Sequence, residues 1–382
     1  MTTIADEILI VDDTPANLKL LSQILLAEGY RVRVAVNGNQ ALGSIDISLP
    51  NLILLDIKMP GINGFEVCHQ LKANPKTANI PVIFISALND LQDRLDGFQA
   101  GGVDYISKPF QIEEVLARVS AHLLIRKAQQ LLENNNRRMQ RELNLAWHLQ
   151  KNFMPQKLPI IPGWQFSAAL QPALETSGDF YDLFELPGKK LAILIADVVD
   201  KGISAALLMV LTWSLLRERI LSFPLQPQIV LAEVNRSMLA ILKDLEYVTV
   251  FLGILDTSSG KLSYANAGHN PPLLFQADGQ KVLHLNRTGS ALGITDETDW
   301  TETSVDIHPG EILLLYTDGL TEACNPSGEF SGLERVTYCV QPLLHKSSDE
   351  IKTILISELE KFLTDQSPQD DITLMVVKRT MG

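Results

Sequence analysis

Short apolar runs alternate with amphipathic stretches over the first third of the chain. Ile8-Leu9-Ile10-Val11, Leu52-Ile53-Leu54-Leu55 and Val82-Ile83-Phe84-Ile85 are continuous apolar runs of the kind that buried parallel strands show. Between them the spacing predicts helices, for example over Ala16 to Glu28. Strand and helix alternate from Glu7 to about His122, which predicts a parallel, doubly wound sheet with ligands at the carboxyl ends of its strands. From about Gln111 to Gln150 neither Pro nor Gly interrupts a helical pattern. Ile125, Leu132, Met139 and Ala146 recur every seven residues, as in a coiled-coil seam. The companion positions Ala128, Asn135, Glu142 and Leu149 are only half apolar, so a solvated spacer helix is the competing reading. We favour the seam, in which Asn135 would fix register. The helix is expected to end by Met154-Pro155, and the Pro-rich stretch to Pro162-Gly163 marks a boundary.

From Trp164 onward the strict alternation is lost. Leu191-Ala192-Ile193-Leu194-Ile195 predicts a strand, Ile203 to Leu221 and Gln228 to Lys243 predict helices, and short strands follow over Val248 to Leu255, Lys261 to Ala265 and Glu311 to Tyr316. A last helix is expected over Asp349 to Thr364 and a last strand over Ile372 to Val377. Runs of strands with separated helices predict an α+β layered sandwich. The expected domains are residues 7–122, a helical linker over 123–155, and residues 156–382.

Composition narrows the function classes. A chain of 382 residues is too long for one typical domain. Its net charge of −13 argues against a nucleic-acid grip, which needs a basic stripe. The three cysteines, Cys68, Cys324 and Cys339, lack metal-ligand spacing. The acidic N-terminus is unlike a signal peptide, and no apolar run approaches the roughly 20 residues needed to span a bilayer. A cytoplasmic protein without membrane contact is expected.

The chemistry lies at the ends of the apolar runs. In the front domain the first strand ends in Asp12-Asp13, the third in Asp56, the fourth in Ser86-Ala87, and the fifth runs through Tyr105 into Lys108-Pro109. A single strand-end Asp is usually a helix N-cap. Three carboxylates, a hydroxyl and a lysine converging on one sheet edge instead suit phosphoryl chemistry: the carboxylates hold Mg²⁺, Asp56 attacks a phosphoryl donor, and Lys108 and Ser86 bind its oxygens. Ile10-Val11-Asp12-Asp13, Asp56-Ile57-Lys58-Met59-Pro60-Gly61 with Gly64, and Tyr105-Ile106-Ser107-Lys108-Pro109-Phe110 together resemble the receiver domain of two-component response regulators. The resemblance implies a flavodoxin-like, five-stranded parallel sheet, Asp56 as phosphoacceptor, Asp12 and Asp13 as Mg²⁺ ligands, and Ser86 and Tyr105 as a switch pair. It also implies a cis Lys108-Pro109 bond.

In the rear half, Asp179, Asp197, Asp318 and Asp370 stand at strand edges, with Asp182, Asp200 and Asp371 beside them. Clustered carboxylates suit hard divalent cations, and water acidified by two such ions attacks phosphate esters. Each Asp alone reads as a turn or cap residue, and Asp318-Gly319 alone as a weak hairpin signal. Ser177-Gly178-Asp179-Phe180-Tyr181-Asp182, Ala196-Asp197-Val198-Val199-Asp200-Lys201-Gly202, Tyr264 to Pro272, Leu315-Tyr316-Thr317-Asp318-Gly319-Leu320-Thr321-Glu322 and Asp370-Asp371-Ile372-Thr373 resemble the PPM-type metal-dependent serine/threonine phosphatases of the bacterial SpoIIE–RsbU subgroup. The resemblance implies that Asp179 and Asp197 bind one metal or bridge two, that Val198 lends its carbonyl, and that Asp318 and Asp370 complete a second Mn²⁺ or Mg²⁺ site. Asp200 departs from the glycine common in relatives, and the basic residue with which eukaryotic members grip phosphate has no clear counterpart, Lys201 being a weak candidate. His269 reads as a turn-fixing histidine rather than a general acid.

The two resemblances together predict a response regulator. A histidine kinase would phosphorylate Asp56, and the rear domain would dephosphorylate a phosphoserine or phosphothreonine on a protein, by resemblance an anti-sigma-factor antagonist. A homodimer through the linker is expected. The alternative is a catalytically silent module that binds such a partner; a DNA-binding regulator fails on charge.

Overall fold

The computed structural model describes residues 5–87, 91–223, 226–242, 246–296, 300–364 and 366–381. The chain folds into two compact units, Met1–Arg138 and Met139–Gly382.

The first unit runs β1 (Glu7–Val11), α1 (Pro15–Ala27), β2 (Arg31–Ala35), α2 (Gly38–Ile47), β3 (Leu52–Asp56), α3 (Gly64–Ala73), β4 (Val82–Ala87), α4 (Leu91–Gln99) and β5 (Asp104–Lys108), and α5 (Ile112–Gln150) begins in it. The sheet is parallel with strand order β2-β1-β3-β4-β5. Alternate residues of the apolar runs serve its two faces. Leu9, Val11, Ile53 and Leu55 pack with Val67, Cys68 and Leu71 of α3, while Ile8, Ile10, Leu52 and Leu54 pack with Leu21 and Leu25 of α1 and Val115 and Val119 of α5. The apolar-run signal missed β2 because it is an edge strand, and Arg31 and Arg33 alternate with its valines. The Lys108-Pro109 bond is cis.

The helix α5 ends at Gln150, where the Pro- and Gly-free pattern expected it to and before Met154-Pro155. The second unit continues with β6 (Trp164–Gln171), β7 (Phe180–Leu186), β8 (Lys190–Val198), α6 (Ile203–Ser222), α7 (Pro227–Ile241), β9 (Val248–Asp256), β10 (Lys261–Ala267), β11 (Leu273–Phe275), β12 (Val282–His284), β13 (Thr303–Asp306), β14 (Ile312–Tyr316), α8 (Asp318–Thr321), α9 (Gly332–Val340), α10 (Ser348–Leu363) and β15 (Ile372–Arg379). Lys243, the expected end of the second helix, lies outside the described residues. Two antiparallel five-stranded sheets form, β13-β10-β9-β8-β7 and β12-β11-β14-β15-β6.

Period-2 alternation builds four layers from these elements. Leu191, Ile193 and Ile195 of β8 meet Leu313 and Leu315 of β14 and Met375 and Val377 of β15 between the sheets. Ala192, Leu194 and Ala196 face α6 and α7, and Leu314, Tyr316, Leu374 and Val376 face α9 and α10. The strands are continuously apolar because both faces are covered. Asp318-Gly319 is not a hairpin turn, as its dipeptide reading suggested: it opens the short helix α8. Gly319 sits so close to the next strand that a Cβ would lie 2.0 Å from the Asp371 carbonyl oxygen, so no other residue fits there.

Candidate functional site

In the first unit, the carboxylates of Asp12, Asp13 and Asp56 lie within 4.8 Å of one another at the carboxyl edge of the sheet. Asp12 is fixed by the Thr14 amide at 2.8 Å and by the Asn17 side chain at 3.0 Å. Lys108, at the end of β5, brings its Nζ to 3.0 Å from both Asp12 and Asp56. Burial raises the Asp56 pKa, against the pull of Lys108. Burial works to lower the Lys108 pKa, and pairing with Asp12 and Asp56 outweighs it. An all-oxygen set carrying three carboxylates beside one ammonium is under-neutralised, which fits a hard divalent cation such as Mg²⁺. Ser86 is buried, and Tyr105 sits on β5 with Phe98 edge-on to its ring at 6.5 Å and the Arg118 guanidinium over it at 5.1 Å. Asp12, Asp13, Asp56, Ser86 and Lys108 thus stand at or near the carboxyl ends of their strands, while Tyr105 lies three residues back along β5, paired with Phe84.

In the second unit, the adjacent ends of both sheets carry the other four aspartates. Asp179 precedes β7 and Asp197 lies near the end of β8, where Phe180 pairs with Ala196. Asp318 follows β14, and Asp370 stands just before β15. The four form a chain of electrostatic neighbours. Burial, and then the charge of Asp197, lifts Asp179 well above the usual carboxylate range. Burial, and then Asp318, lifts Asp197, partly offset by hydrogen bonding with Asp179. Burial, and then Asp370, lifts Asp318. Among the described residues only the Asp12 group packs three ligand atoms within 4.8 Å, so these four make a longer row rather than one tight cage. A row of carboxylates running from the buried Asp179 to the half-exposed Asp370, with one lysine at its outer end, fits two hard cations side by side better than one.

The backbone around the row is built for it. A Cβ at Gly178 would lie 3.2 Å from the Val198 carbonyl oxygen, so the Ser177-Gly178-Asp179 loop packs directly on the carbonyl expected to serve a metal. Asp200 adopts φ 74°, the left-handed conformation that favours glycine, and its Oδ1 accepts the Lys201 amide at 2.9 Å. Lys201 Nζ lies 2.9 Å from Asp370.

Three supporting residues had no assigned role in the sequence reading. Thr317 donates its hydroxyl to Asp179 Oδ2 at 2.6 Å and accepts the Thr373 amide at 3.0 Å, coupling the two sheets at the site. Asp371 is buried, and its carboxylate accepts the Ala173 amide at 2.8 Å, the Gly178 amide at 2.7 Å and the Ser177 hydroxyl at 2.8 Å. Gln150, the last residue of α5, pairs with the Ser177 backbone. Thr317 and Asp371 sit inside motifs read for their neighbours, so their positions were visible and their roles were not. Gln150 carried no signal.

Other candidates turn away. Asp182 is buried against α6, where it pairs with Arg217 and accepts Trp213 Nε1 at 3.1 Å. His269 Nδ1 lies 2.9 Å from Thr249 Oγ1, and its carbonyl accepts from Arg287. Burial lowers its pKa to about 3, so it is a neutral structural group. No helix among the described residues is long and apolar enough to cross a membrane.

Known proteins share both halves. The family described as "Stage II sporulation protein E (SpoIIE)" matches residues 187–380, half of the chain, and "Response regulator receiver domain" matches residues 8–120. Protein IcfG of Synechocystis sp. is 35% identical over 266 residues, 62% of this chain and 41% of its own length. The chain therefore spans well under two thirds of that relative. Among solved structures, the SiaA-PP2C domain of Pseudomonas aeruginosa aligns with a TM-score of 0.58 at 21% identity, covering 64% of this chain and 98% of that one. A structure of the PP2C phosphatase domain and a fragment of the regulatory domain of SpoIIE from Bacillus subtilis aligns with a TM-score of 0.50 at 25% identity, covering 56% and 63%. The flavodoxin-like parallel sheet, the layered antiparallel sandwich and these matches lead to one conclusion: the chain belongs to the SpoIIE family and joins a response-regulator receiver domain to a PPM-type phosphatase domain.

Proposed function

We propose that this chain is a response regulator in which a phosphoryl group received on Asp56 from a histidine kinase controls hydrolysis of phosphoserine or phosphothreonine on a protein. One observation carries the reading: carboxylates from both sheets, running from the buried Asp179 to the half-exposed Asp370, stand as charge neighbours in a single row, three of the four within the stretch the family matches. Asp179 and Asp197, with the Val198 carbonyl, would hold one Mn²⁺ or Mg²⁺, and Asp197, Asp318 and Asp370 a second. Such a pair supplies an acidified water and charge neutralisation for an incoming phosphate. The protein residues do the placing. Thr317 orients Asp179, Asp371 holds the loop that carries it, and α8 presents Asp318 from a backbone locked by Gly319.

In the receiver, Asp12 and Asp13 would hold Mg²⁺ beside Asp56, and Lys108 would bind the transferred phosphoryl oxygens. Ser86 and Tyr105 would report that event to the surface. We assign residues 7–122 to the receiver, 123–155 to a helical linker that also forms a homodimer, and 156–382 to the phosphatase. The substrate class the family resemblance favours is a phosphorylated anti-sigma-factor antagonist. The test is Mn²⁺-dependent release of phosphate from such a phosphoprotein, with and without acetyl phosphate. Release that changes with Asp56 phosphorylation supports the reading. Tight binding of the phosphoprotein with no release under any metal would instead make the domain a silent module.

A further inference from the structure

Among the described residues, Lys201 is the basic side chain ion-paired with the phosphatase carboxylate row. Its Nζ lies 2.9 Å from Asp370 Oδ2 and also donates to the Gln369 carbonyl. Its charge also acts on Asp318, opposing the rise that burial and Asp370 produce there. The other Asp370 oxygen, Oδ1, accepts the Asp371 amide at 2.8 Å. Both oxygens of this carboxylate are therefore engaged, one by a backbone amide and one by a lysine. Of the two partners, the lysine, on its flexible four-carbon stem, is the one that can move aside. The lysine side chain is 38% exposed and Asp370 42% exposed, so this pair sits at the mouth of the row rather than inside it. Its loop is set by Asp200 at φ 74° and Gly202 at φ 81°, which returns the chain sharply into α6 and fixes where the lysine can reach.

We propose that Lys201 is a tethered counter-cation that trades places: it holds Asp370 until that carboxylate is given to a metal, and then binds the phosphate group of the substrate. This rests on the reading of Asp318 and Asp370 as ligands. An ammonium and a divalent cation compete for the same oxygen, so Lys201 weakens loading at the Asp318–Asp370 end. Once released, it stands beside the row as a strongly hydrated point charge on a flexible stem, suited to a phosphate dianion whose orientation varies. The exchange makes metal loading and phosphate binding mutually supportive, since each favours the same free position of Lys201. It would supply a phosphate-binding cation at the outer end of the row.

The test uses the full chain stripped with EDTA and two variants, Lys201→Gln and Lys201→Arg. Calorimetric titration with Mn²⁺ alone reads metal affinity without reference to turnover. Titration of inorganic phosphate into the Mn²⁺-saturated protein reads anion affinity. Lys201→Gln should bind its weaker Mn²⁺ roughly threefold to tenfold more tightly, and phosphate more weakly by a similar factor, the size expected for losing one partly exposed charge pair. Lys201→Arg should keep phosphate affinity close to that of the parent. Unchanged or weakened Mn²⁺ affinity in Lys201→Gln overturns the exchange, as does unchanged phosphate affinity. If the parent chain itself takes up no Mn²⁺, the ligand assignment fails and the exchange falls with it. If the parent loads metal and the variant matches it, only the exchange is lost.

Discussion

Gln150 and Ser177 hold each other through a reciprocal amide pair: Gln150 Nε2 donates to the Ser177 carbonyl at 2.8 Å, and the Ser177 amide donates to Gln150 Oε1 at 3.2 Å. Gln150 is 4% exposed and ends α5, while Ser177 is two residues from Asp179. A shift of the helix end is therefore a shift of the loop that carries a proposed ligand. Gln150→Leu keeps the volume and removes both bonds, leaving a buried N–H and C=O without partners at a cost of about 1–3 kcal/mol each. We expect the phosphatase unit to melt several degrees lower and its activity to stop responding to acetyl phosphate. A variant that melts like the parent and responds like it would show that this contact carries no signal.

Metal removal has a definite expected result. The carboxylate row repels itself, so cations should both enable hydrolysis and stabilise the fold. EDTA should abolish phosphate release and lower the thermal midpoint, and added Mn²⁺ should restore both. Asp318→Asn should lose most activity while keeping the fold, because the side chain is only partly buried and an amide replaces a carboxylate of the same shape. Hydrolysis that survives chelation and this substitution would rule out a metal-dependent reaction.

The continuous apolar runs made most of this architecture readable. Ile8 to Val11 and Leu52 to Leu55 are apolar throughout because both faces of a parallel sheet are covered, and the carboxylates at their ends mark the edge where a ligand can sit. What escaped had physical reasons. The edge strand β2 alternates arginine with valine and shows no run. Asp371 reads like Asp370 in one dimension, yet three hydrogen bonds turn its side chain to the Ala173–Gly178 loop while Asp370 faces Lys201. That choice depends on which way each residue points as the chain enters β15, and spacing does not encode it. Gln150 was unreadable because its partners are backbone groups 27 residues away, and any segment offers those.

In the receiver, Asp56 should be the one residue labelled by acetyl phosphate. Asp56→Asn should abolish the label, since an amide cannot form the acyl phosphate. Lys108→Ala removes the ammonium 3.0 Å from Asp56 and should leave labelling possible while uncoupling it from phosphatase activity. Mass-spectrometric detection of phosphate on the Asp56→Asn chain would place the acceptor elsewhere.

His269 should impose a pH dependence on stability. Its side chain is fully buried, and burial lowers its pKa from 6.5 to about 3, so the folded state keeps it neutral. The Tyr316 backbone pulls the pKa the other way, while the His269 Nε2 is buried without a hydrogen-bond partner among the described residues. In the window between about 3 and 6.5 the unfolded chain binds a proton that the folded chain does not, so stability falls as pH drops through it. At pH 5 the loss should be about 2 kcal/mol relative to pH 8. Denaturant titrations of the parent and of His269→Gln at both pH values give the difference directly. Equal pH dependence in the two chains would remove His269 as its source.

The linker should make the dimer. Ile125, Leu132 and Met139, the expected seam, are 50%, 62% and 56% exposed on α5, and Leu131 and Leu145 beside them are exposed as well. Large apolar side chains left open along one long helix favour a second copy as the cover, because pairing removes roughly 25 cal/mol of unfavourable hydration per Å² of apolar surface. Leu132→Asp would place a charge in that seam and should weaken association by a few kcal/mol, enough to leave monomer at micromolar protein. The folded units should survive, since the exposed residue contributes little to either core. Sedimentation equilibrium of the two chains decides it. A parent that is monomeric at high concentration, or a variant that associates as tightly as the parent, would return α5 to a solvated spacer.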